Sequence, residues 1–375
     1  MREEPSLAHY TLLLKAPTGA TAATYAPLER SIYGARMTET NPRTDALLDA
    51  LYRDIIAAHS ALRPAIAVTP LAYSERFSAA TGCEIYLKCE HQQHTGSFKF
   101  RGAYNKLRQL TPQERAQGVI AATSGNHGAA IALAGRLNQV AVTIYAPERT
   151  SPYKMEAMRA LGATVKTVPG TSLDAELEAQ RQAQKEGKSY VSPYNDLAVI
   201  AGQGTVGVEI NEQQPDLDAV FAAVGGGGLI SGVGTALSRL NPGAQIIGCW
   251  PEQAAAMYRS LEAGKIVEVP DADTLSDSTV GGIVPGAVTF DLCRRLLDRS
   301  VLVSEEEIRW AMRAVAVDEH WIVEGAAGAS LAGALKMARE LKGKRLGVIL
   351  CGRNIDWPVF MGAVSDQAWR PGRED

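Results

Sequence analysis

The chain has 375 residues, 46% hydrophobic and 21% charged, with a formal net charge of −3 and a pI near 6.1. That composition belongs to an ordinary soluble globular chain of one large domain or two. No basic stripe runs along it, which excludes nucleic acid and acidic membrane surfaces as partners and leaves a small molecule.

Residues 1–36 are rich in Ala, Thr and Pro without sustained periodicity and are expected to be a flexible N-terminal extension; the alternative is a segment packed on a partner subunit. "TLLL" at Thr11–Leu14 is too short for a signal sequence, and no apolar run approaches the roughly 18 residues of a membrane span. Regular pattern begins with "TDALLDALYRDIIAAHSAL", where Leu47, Leu48, Leu51 and Ile55 mark a helix started by Thr44. Strand-like and helical runs then alternate. "GVIAAT" (118–123) precedes "GAAIALAGRL", "QVAVTIYAP" (139–147) precedes "SPYKMEAMRALG", and "ATVKTVP" (163–169) precedes "SLDAELEAQRQAQKEG". "DAVFAAVG" precedes "LISGVGTALSRL", "QIIGCW" follows, and "RLGVILCG" (345–352) closes the series. Apolar, β-branched strands followed by amphipathic helices imply an α/β fold with parallel sheets covered on both faces. In such sheets a ligand sits beyond the carboxyl ends of the strands, in the strand-to-helix loops.

Those loops hold the informative residues. "AVGGGGLISGVG", Ala223 to Gly234, sets four consecutive glycines between a strand and a helix. Backbone N–H groups without Cβ obstruction, at a positive helix terminus, suit a phosphate. The run matches neither Gly-x-Gly-x-x-Gly nor a P-loop, and the competing reading is an empty tight turn. "ATSGNHGAAIALAG", Ala122 to Gly135, repeats the geometry with Ser124, Asn126 and His127, suited to a carboxylate or ring oxygen unless Ser or Asn merely caps the helix. "LCGRNID" ends a buried strand at Cys351, where a thiol is commonly just a small core group. In "WIVEGAAGASLAGAL", Glu324 precedes a helix whose dipole it would satisfy. In "HTGSFKFRGA", Lys99 stands between two phenylalanines, either snorkelling to water or presenting a partly desolvated amine. Cys89, His91 and His94 lack a fourth partner for zinc, no metal is expected, and no hydrolase triad with a glycine elbow is present. The five cysteines are odd in number and dispersed, without a Cys-x-x-Cys pair, as free thiols in a reducing cytoplasm would be.

Taken together, "TGSFKFRGA", "TSGNHGAA", "GGGGLISG", "EGAAGAS" and "CGRNI", in this order between about Leu62 and Ile355, resemble fold-type II pyridoxal-phosphate enzymes of the threonine/serine dehydratase group. "LSDSTVGGIVPGAVTFDLC" (275–293) is more similar to the hydroxyectoine-utilisation dehydratase branch than to the common "ADG" pattern. The resemblance implies two open, mostly parallel sheets covered by helices, like the tryptophan synthase β subunit. A large cofactor-binding domain would comprise 37–116 and 191–370, and a small substrate-side domain 117–190. Lys99 would hold pyridoxal 5'-phosphate as an imine, Phe98 would pack beside its ring, and Asn126 would meet the ring hydroxyl. Gly225, Gly226, Gly227, Gly228 and Leu229 would bind the phosphate, with Glu324 and Cys351 also at the cofactor. Thr123, Ser124, Gly125, Asn126 and His127 would grip the substrate carboxylate. The implied reaction turns a β-hydroxy amino acid into a 2-oxo acid and ammonia, with Lys99 removing the α-proton. Cys351, unable to keep the ring nitrogen protonated as a carboxylate would, favours elimination. Trp250 and Ala256 replace the acids of a divalent-cation site common in relatives, leaving only Glu252 or Asp277 as weak candidates, and Thr123 replaces a usual Ser. A homodimer is expected, and a regulatory domain after Cys351 is not. Two alternatives remain: a racemase on the same fold, in which Ser124 is the catalytic acid, and a catalytically silent binder of a phosphorylated ligand.

Overall fold

The computed structural model describes residues 42–365 apart from residue 271; the expected extension over 1–36 lies outside the described residues. In chain order the elements are α1 (Pro42–Leu62), β1 (Leu71–Tyr73), α2 (Glu75–Thr81), β2 (Glu84–Lys88), α3 (Lys99–Arg108), α4 (Pro112–Gln117), β3 (Val119–Ala122) and α5 (Asn126–Asn138). There follow β4 (Val142–Pro147), α6 (Pro152–Ala160), β5 (Thr164–Val168), α7 (Ser172–Glu186), β6 (Ser189–Tyr190), α8 (Leu197–Gln213), β7 (Ala219–Ala223), α9 (Gly228–Leu240) and β8 (Gln245–Pro251). The last are α10 (Ala256–Ala263), α11 (Val288–Leu296), β9 (Arg299–Val303), α12 (Glu305–Ala314), α13 (Gly325–Met337), β10 (Arg345–Ile349) and α14 (Trp357–Ser365). α1 already includes Pro42, so Thr44 lies inside its first turn instead of capping it. Proline suits that turn because its missing N–H has no helical acceptor there.

Two sheets result. A six-stranded sheet runs β1-β2-β10-β7-β8-β9 and a four-stranded sheet β5-β4-β3-β6. Every pairing is parallel except β1 with β2. β3 and β7 are buried at every position. A strand covered on both faces needs an unbroken apolar run, and "VIAA" and "AVFAA" supply it.

The core beneath the four-stranded sheet also draws on Ala58, Leu62, Phe100, Ala103 and Leu107, so α1 and α3 contribute to it. α3, whose first residue is Lys99, crosses α8 at a glycine contact. A Cβ on Gly102 would lie 2.4 Å from Gln203 Nε2, and one on Gly202 would lie 2.6 Å from Arg101 O. The two backbones therefore touch directly. Arg101 then fixes the helix from within, donating to Glu90 at 2.8 Å and to Glu209 at 2.7 Å, with all three side chains at most 1% exposed. Lys88, equally buried, adds a 2.7 Å bond to Glu209. Such a buried network holds only because each charge is matched and hydrogen-bonded.

A candidate active site between the two sheets

At the other end of the six-stranded sheet, the chain after β10 meets the segment before α3. Phe98 N donates to Cys351 O at 3.1 Å, and Ser97 bridges Gly352. This register places Lys99 and Cys351 against the same cavity, which also receives the loops after β3, β6 and β7. All are carboxyl ends of parallel strands, where α/β sheets hold ligands.

Lys99 is half-buried, its Nζ donating to Pro193 O at 3.0 Å and lying 5.1 Å from the Phe98 ring centroid. Burial lowers its pKa from 10.5 to about 8, against the opposing pull of Cys351, Glu324 and Glu176. Its place as the first residue of α3 works in the same direction, because a helix N-terminus disfavours a cation.

Opposite stands the glycine loop. Gly227, with φ +87°, turns the chain into α9, and a Cβ there would meet Cys293 Sγ at 2.8 Å. A Cβ on Gly226 would enter the Tyr194 ring at 2.4 Å. The first N–H groups of α9 have no acceptor in their own helix and line the cavity with Gly225 to Leu229. A side chain at Gly226 or Gly227 would collide with that packing, and the bare backbone leaves N–H groups suited to an anion.

The third wall is Thr123 to His127. The helix α5 is capped by Gly125 without a side-chain bond, so neither Ser124 nor Asn126 is spent on capping. Ser124 lines the cavity. Asn126 Nδ2 donates to both oxygens of Glu324, at 3.0 and 2.9 Å, while its Oδ1 accepts from Asn354 at 2.6 Å. His127 bonds Val191 O through Nε2 at 3.1 Å. Burial, followed by the Lys99 charge, lowers its pKa to about 3. The ring is neutral, Nε2 carries the hydrogen, and buried Nδ1 has no partner.

Glu324 immediately precedes α13 but its side chain makes no cap bond. It turns inward, accepting from Asn126, from Ser278 at 2.9 Å and from Asn354 N at 3.3 Å. Burial raises its pKa, and Asp277 adds to the effect. Cys351 Sγ is 3.7 Å from Glu324 Oε1; burial and then that carboxylate push the thiol well above its ordinary value, so it is neutral. Asp277 pairs with Lys154 at 2.6 Å. Cys89 and His91 are buried, with His91 against Trp321. Among the described residues no group of three His, Cys, Asp or Glu could hold a metal ion.

Every residue that the resemblance assigns to the cofactor, the substrate or catalysis thus borders one cavity or, for Glu324, braces its wall, whereas Cys89, His91, His94, Trp250, Glu252 and Ala256 do not line it. Sequence reasoning missed Asn354, which bridges Thr95 O and Asn126, and Tyr194, which backs the glycine loop. It also missed Lys154, Ser278 and the buried Glu176. Asn354 stood in view three residues beyond Cys351, within "CGRNI"; Tyr194 follows a strand of two residues, too short to show a period.

Residues 62–352 match the family model described as "Pyridoxal-phosphate dependent enzyme". The chain belongs to this family. Among its relatives, an L-threonine ammonia-lyase from Thermotoga maritima is 41% identical over 322 residues, 86% of this chain and 80% of the relative. An L-threo-3-hydroxyaspartate ammonia-lyase from Saccharomyces cerevisiae is 36% identical over 324 residues, covering 86% and 97%. The processed form of threonine deaminase isoform 2 from Solanum lycopersicum superposes with a TM-score of 0.83 at 34% identity, covering 91% of this chain and 98% of that one. The family's cofactor needs an anion site, a nucleophilic amine and a neutral or acidic neighbour for its ring nitrogen. The glycine cradle, the partly deprotonated Lys99 and the neutral Cys351 thiol fit those three needs.

Proposed function

We propose that this chain is a pyridoxal-phosphate dependent ammonia-lyase that converts a β-hydroxy amino acid, threonine, serine or a related 3-hydroxy amino acid, into a 2-oxo acid and ammonia. The observation that carries the reading is the Lys99 amine lining one cavity with four consecutive glycines at the start of α9, its pKa lowered by burial. The names of the relatives support the substrate class.

When bound, pyridoxal phosphate supplies an electron sink for charge developing at the substrate α-carbon. Gly225 to Gly228 and Leu229 would hold its phosphate through backbone N–H groups at the positive end of α9. Lys99 would hold its aldehyde carbon, with Phe98 packed beside the ring. Asn126, fixed by Glu324 and Asn354, would meet the ring hydroxyl, and Cys351 would stand by the ring nitrogen as a neutral group. Thr123, Ser124 and Gly125, at the positive end of α5, would bind the substrate carboxylate, while His127 braces that loop from behind through Val191. Lys99 Nζ, once free, takes the α-proton, a role suited to an amine whose pKa lies near working pH. A thiol beside the ring nitrogen cannot keep it charged, which favours prompt loss of the β-substituent over a lasting carbanion.

The proposal includes a homodimer in the cytoplasm, consistent with five free, buried cysteines. Among the described residues no helix is long and apolar enough to cross a membrane. The test is borohydride reduction of the holoenzyme followed by peptide mass spectrometry, together with 2-oxo acid assays on L-serine, L-threonine, threo- and erythro-3-hydroxyaspartate, phenylserine and hydroxylated diaminobutyrate. A tag on Lys99 and turnover of at least one of these substrates is expected. A tag elsewhere, or none, overturns the reading.

A further inference from the structure

One carboxyl group in the cavity has no part in the mechanism above. Glu176 lies on α7, whose Ala175, Ala179 and Ala183 pack against the four-stranded sheet. Glu176 is 7% exposed and lines the cavity that holds Lys99 and Ser124. Its Oε1 receives the Gln180 amide at 3.5 Å, the phenols of Tyr190 and Tyr194 lie beside it, and the cation acting on it is Lys99.

Loss of a β-hydroxyl in a buried site requires a proton, since hydroxide is a poor leaving group. Four other titratable groups in or against the cavity, Lys99, His127, Lys154 and Glu324, are committed. Lys99 takes the α-proton. The single N–H of His127 is given to Val191 O. Lys154 is held by Asp277 at 2.6 Å, and Glu324 already accepts from Asn126, Ser278 and Asn354.

We infer that Glu176 is the proton donor to the departing β-hydroxyl of the substrate. The inference rests on the dehydratase reading and adds one residue to it. As the Cα–H bond breaks its proton goes to Lys99 Nζ and its electron pair forms the Cα=Cβ bond. As the Cβ–O bond breaks, the leaving oxygen takes its pair and the Glu176 proton and departs as water. The carboxylate left behind faces the ammonium just formed on Lys99, so neither new charge stands alone. Burial raises the Glu176 pKa to about 7, against the pull of Tyr190, Tyr194, Gln180 and Lys99, so the group carries a proton in a useful fraction of molecules near neutral pH.

A leaving group that needs no proton separates this role from a structural one. The holoenzyme, Glu176→Gln and Glu176→Asp are compared on the hydroxy amino acid the wild type turns over and on β-chloro-L-alanine, which expels chloride unaided. Glu176→Gln is expected to lower kcat on the hydroxy substrate about 10²- to 10⁴-fold while β-chloroalanine elimination stays within about tenfold. Glu176→Asp, with the acid retained but drawn back, should fall between. Cofactor affinity, read by absorbance titration, should be unchanged in both variants. Equal losses on the two substrates, altered cofactor affinity, or undiminished dehydration by Glu176→Gln overturns the assignment and leaves the dehydratase reading standing. A wild type that eliminates chloride but dehydrates no hydroxy amino acid overturns both.

Discussion

A buried amine that the fold holds below its ordinary pKa must cost stability in the cofactor-free protein, and that cost is measurable. The displacement of Lys99 from 10.5 to about 8 corresponds to about 3 kcal/mol at roughly 1.36 kcal/mol for each tenfold change in acidity. The folded state binds this proton more weakly than the unfolded chain. Below pH 8 both states are protonated and the full penalty applies; between about 8 and 10.5 the unfolded state holds more protons, so stability rises with pH. Lys99→Met removes the charge. It also removes the bond to Pro193 O, worth about 1 kcal/mol net. The variant apoprotein should therefore be more stable than wild type by about 2 kcal/mol at pH 7, and the advantage should shrink by about 2 kcal/mol towards pH 9.5. Urea unfolding of both apoproteins at pH 7, 8 and 9.5, followed by circular dichroism, gives the comparison. A variant that is no more stable at pH 7, with a difference independent of pH, would refute the claim that the site holds a destabilised ammonium.

Three further substitutions address the surroundings of that amine. Gly226→Ala drives a methyl into the Tyr194 ring, 2.4 Å away; overpacking costs about 1–3 kcal/mol, so cofactor Kd in an absorbance titration should rise roughly five- to 150-fold, and an unchanged Kd would mean the loop is not the cradle. Cys351→Ser exchanges one neutral hydrogen-bonding group for another and should keep kcat within about fivefold; loss by orders of magnitude would show the thiol has a further role. Arg101→Met leaves Glu90 and Glu209, at most 1% exposed, with only Lys88 between them, and should lower the urea-derived stability by about 3–5 kcal/mol, whereas a change under about 1 kcal/mol would show that the network is no anchor for α3.

How much of this could be seen in the sequence follows from how each element is buried. β3 and β7 are buried throughout and β4 and β8 nearly so, so they read as largely apolar runs, and the turns behind β3 and β7 held Asn126 and Gly225 to Gly228 where expected. α8 gave no such signal: from Val199 to Ile210 every residue is buried, the polar Gln203, Thr205 and Glu209 included, so the helix shows no amphipathic period. β1, β2 and β6 span three, five and two residues, too few for alternation to rise above chance. Glu176 escaped for the opposite reason. In "SLDAELEAQRQAQKE" a glutamate is what an exposed helix face looks like, and only the packing of the three alanines on the sheet turns its neighbouring position towards the cavity.

The arrangement also explains why the reactive lysine can be placed so tightly on a segment that begins as a turn. Thr95 and Gly96 both have positive φ, and a Cβ on Gly96 would come within 2.7 Å of Asn354 Oδ1. The approach to α3 is thus moulded onto the loop after β10. The helix beyond it is held by the direct backbone contact at Gly102 and Gly202 and by the buried Arg101 ions. Lys99 sits between these two fixtures, with few ways to turn its amine towards solvent. A side chain so confined has surrendered its conformational entropy to folding. Its amine, once deprotonated, is therefore presented to a carbonyl carbon with little further ordering, and that preorganisation is what a nucleophile in a glycine-lined cavity requires.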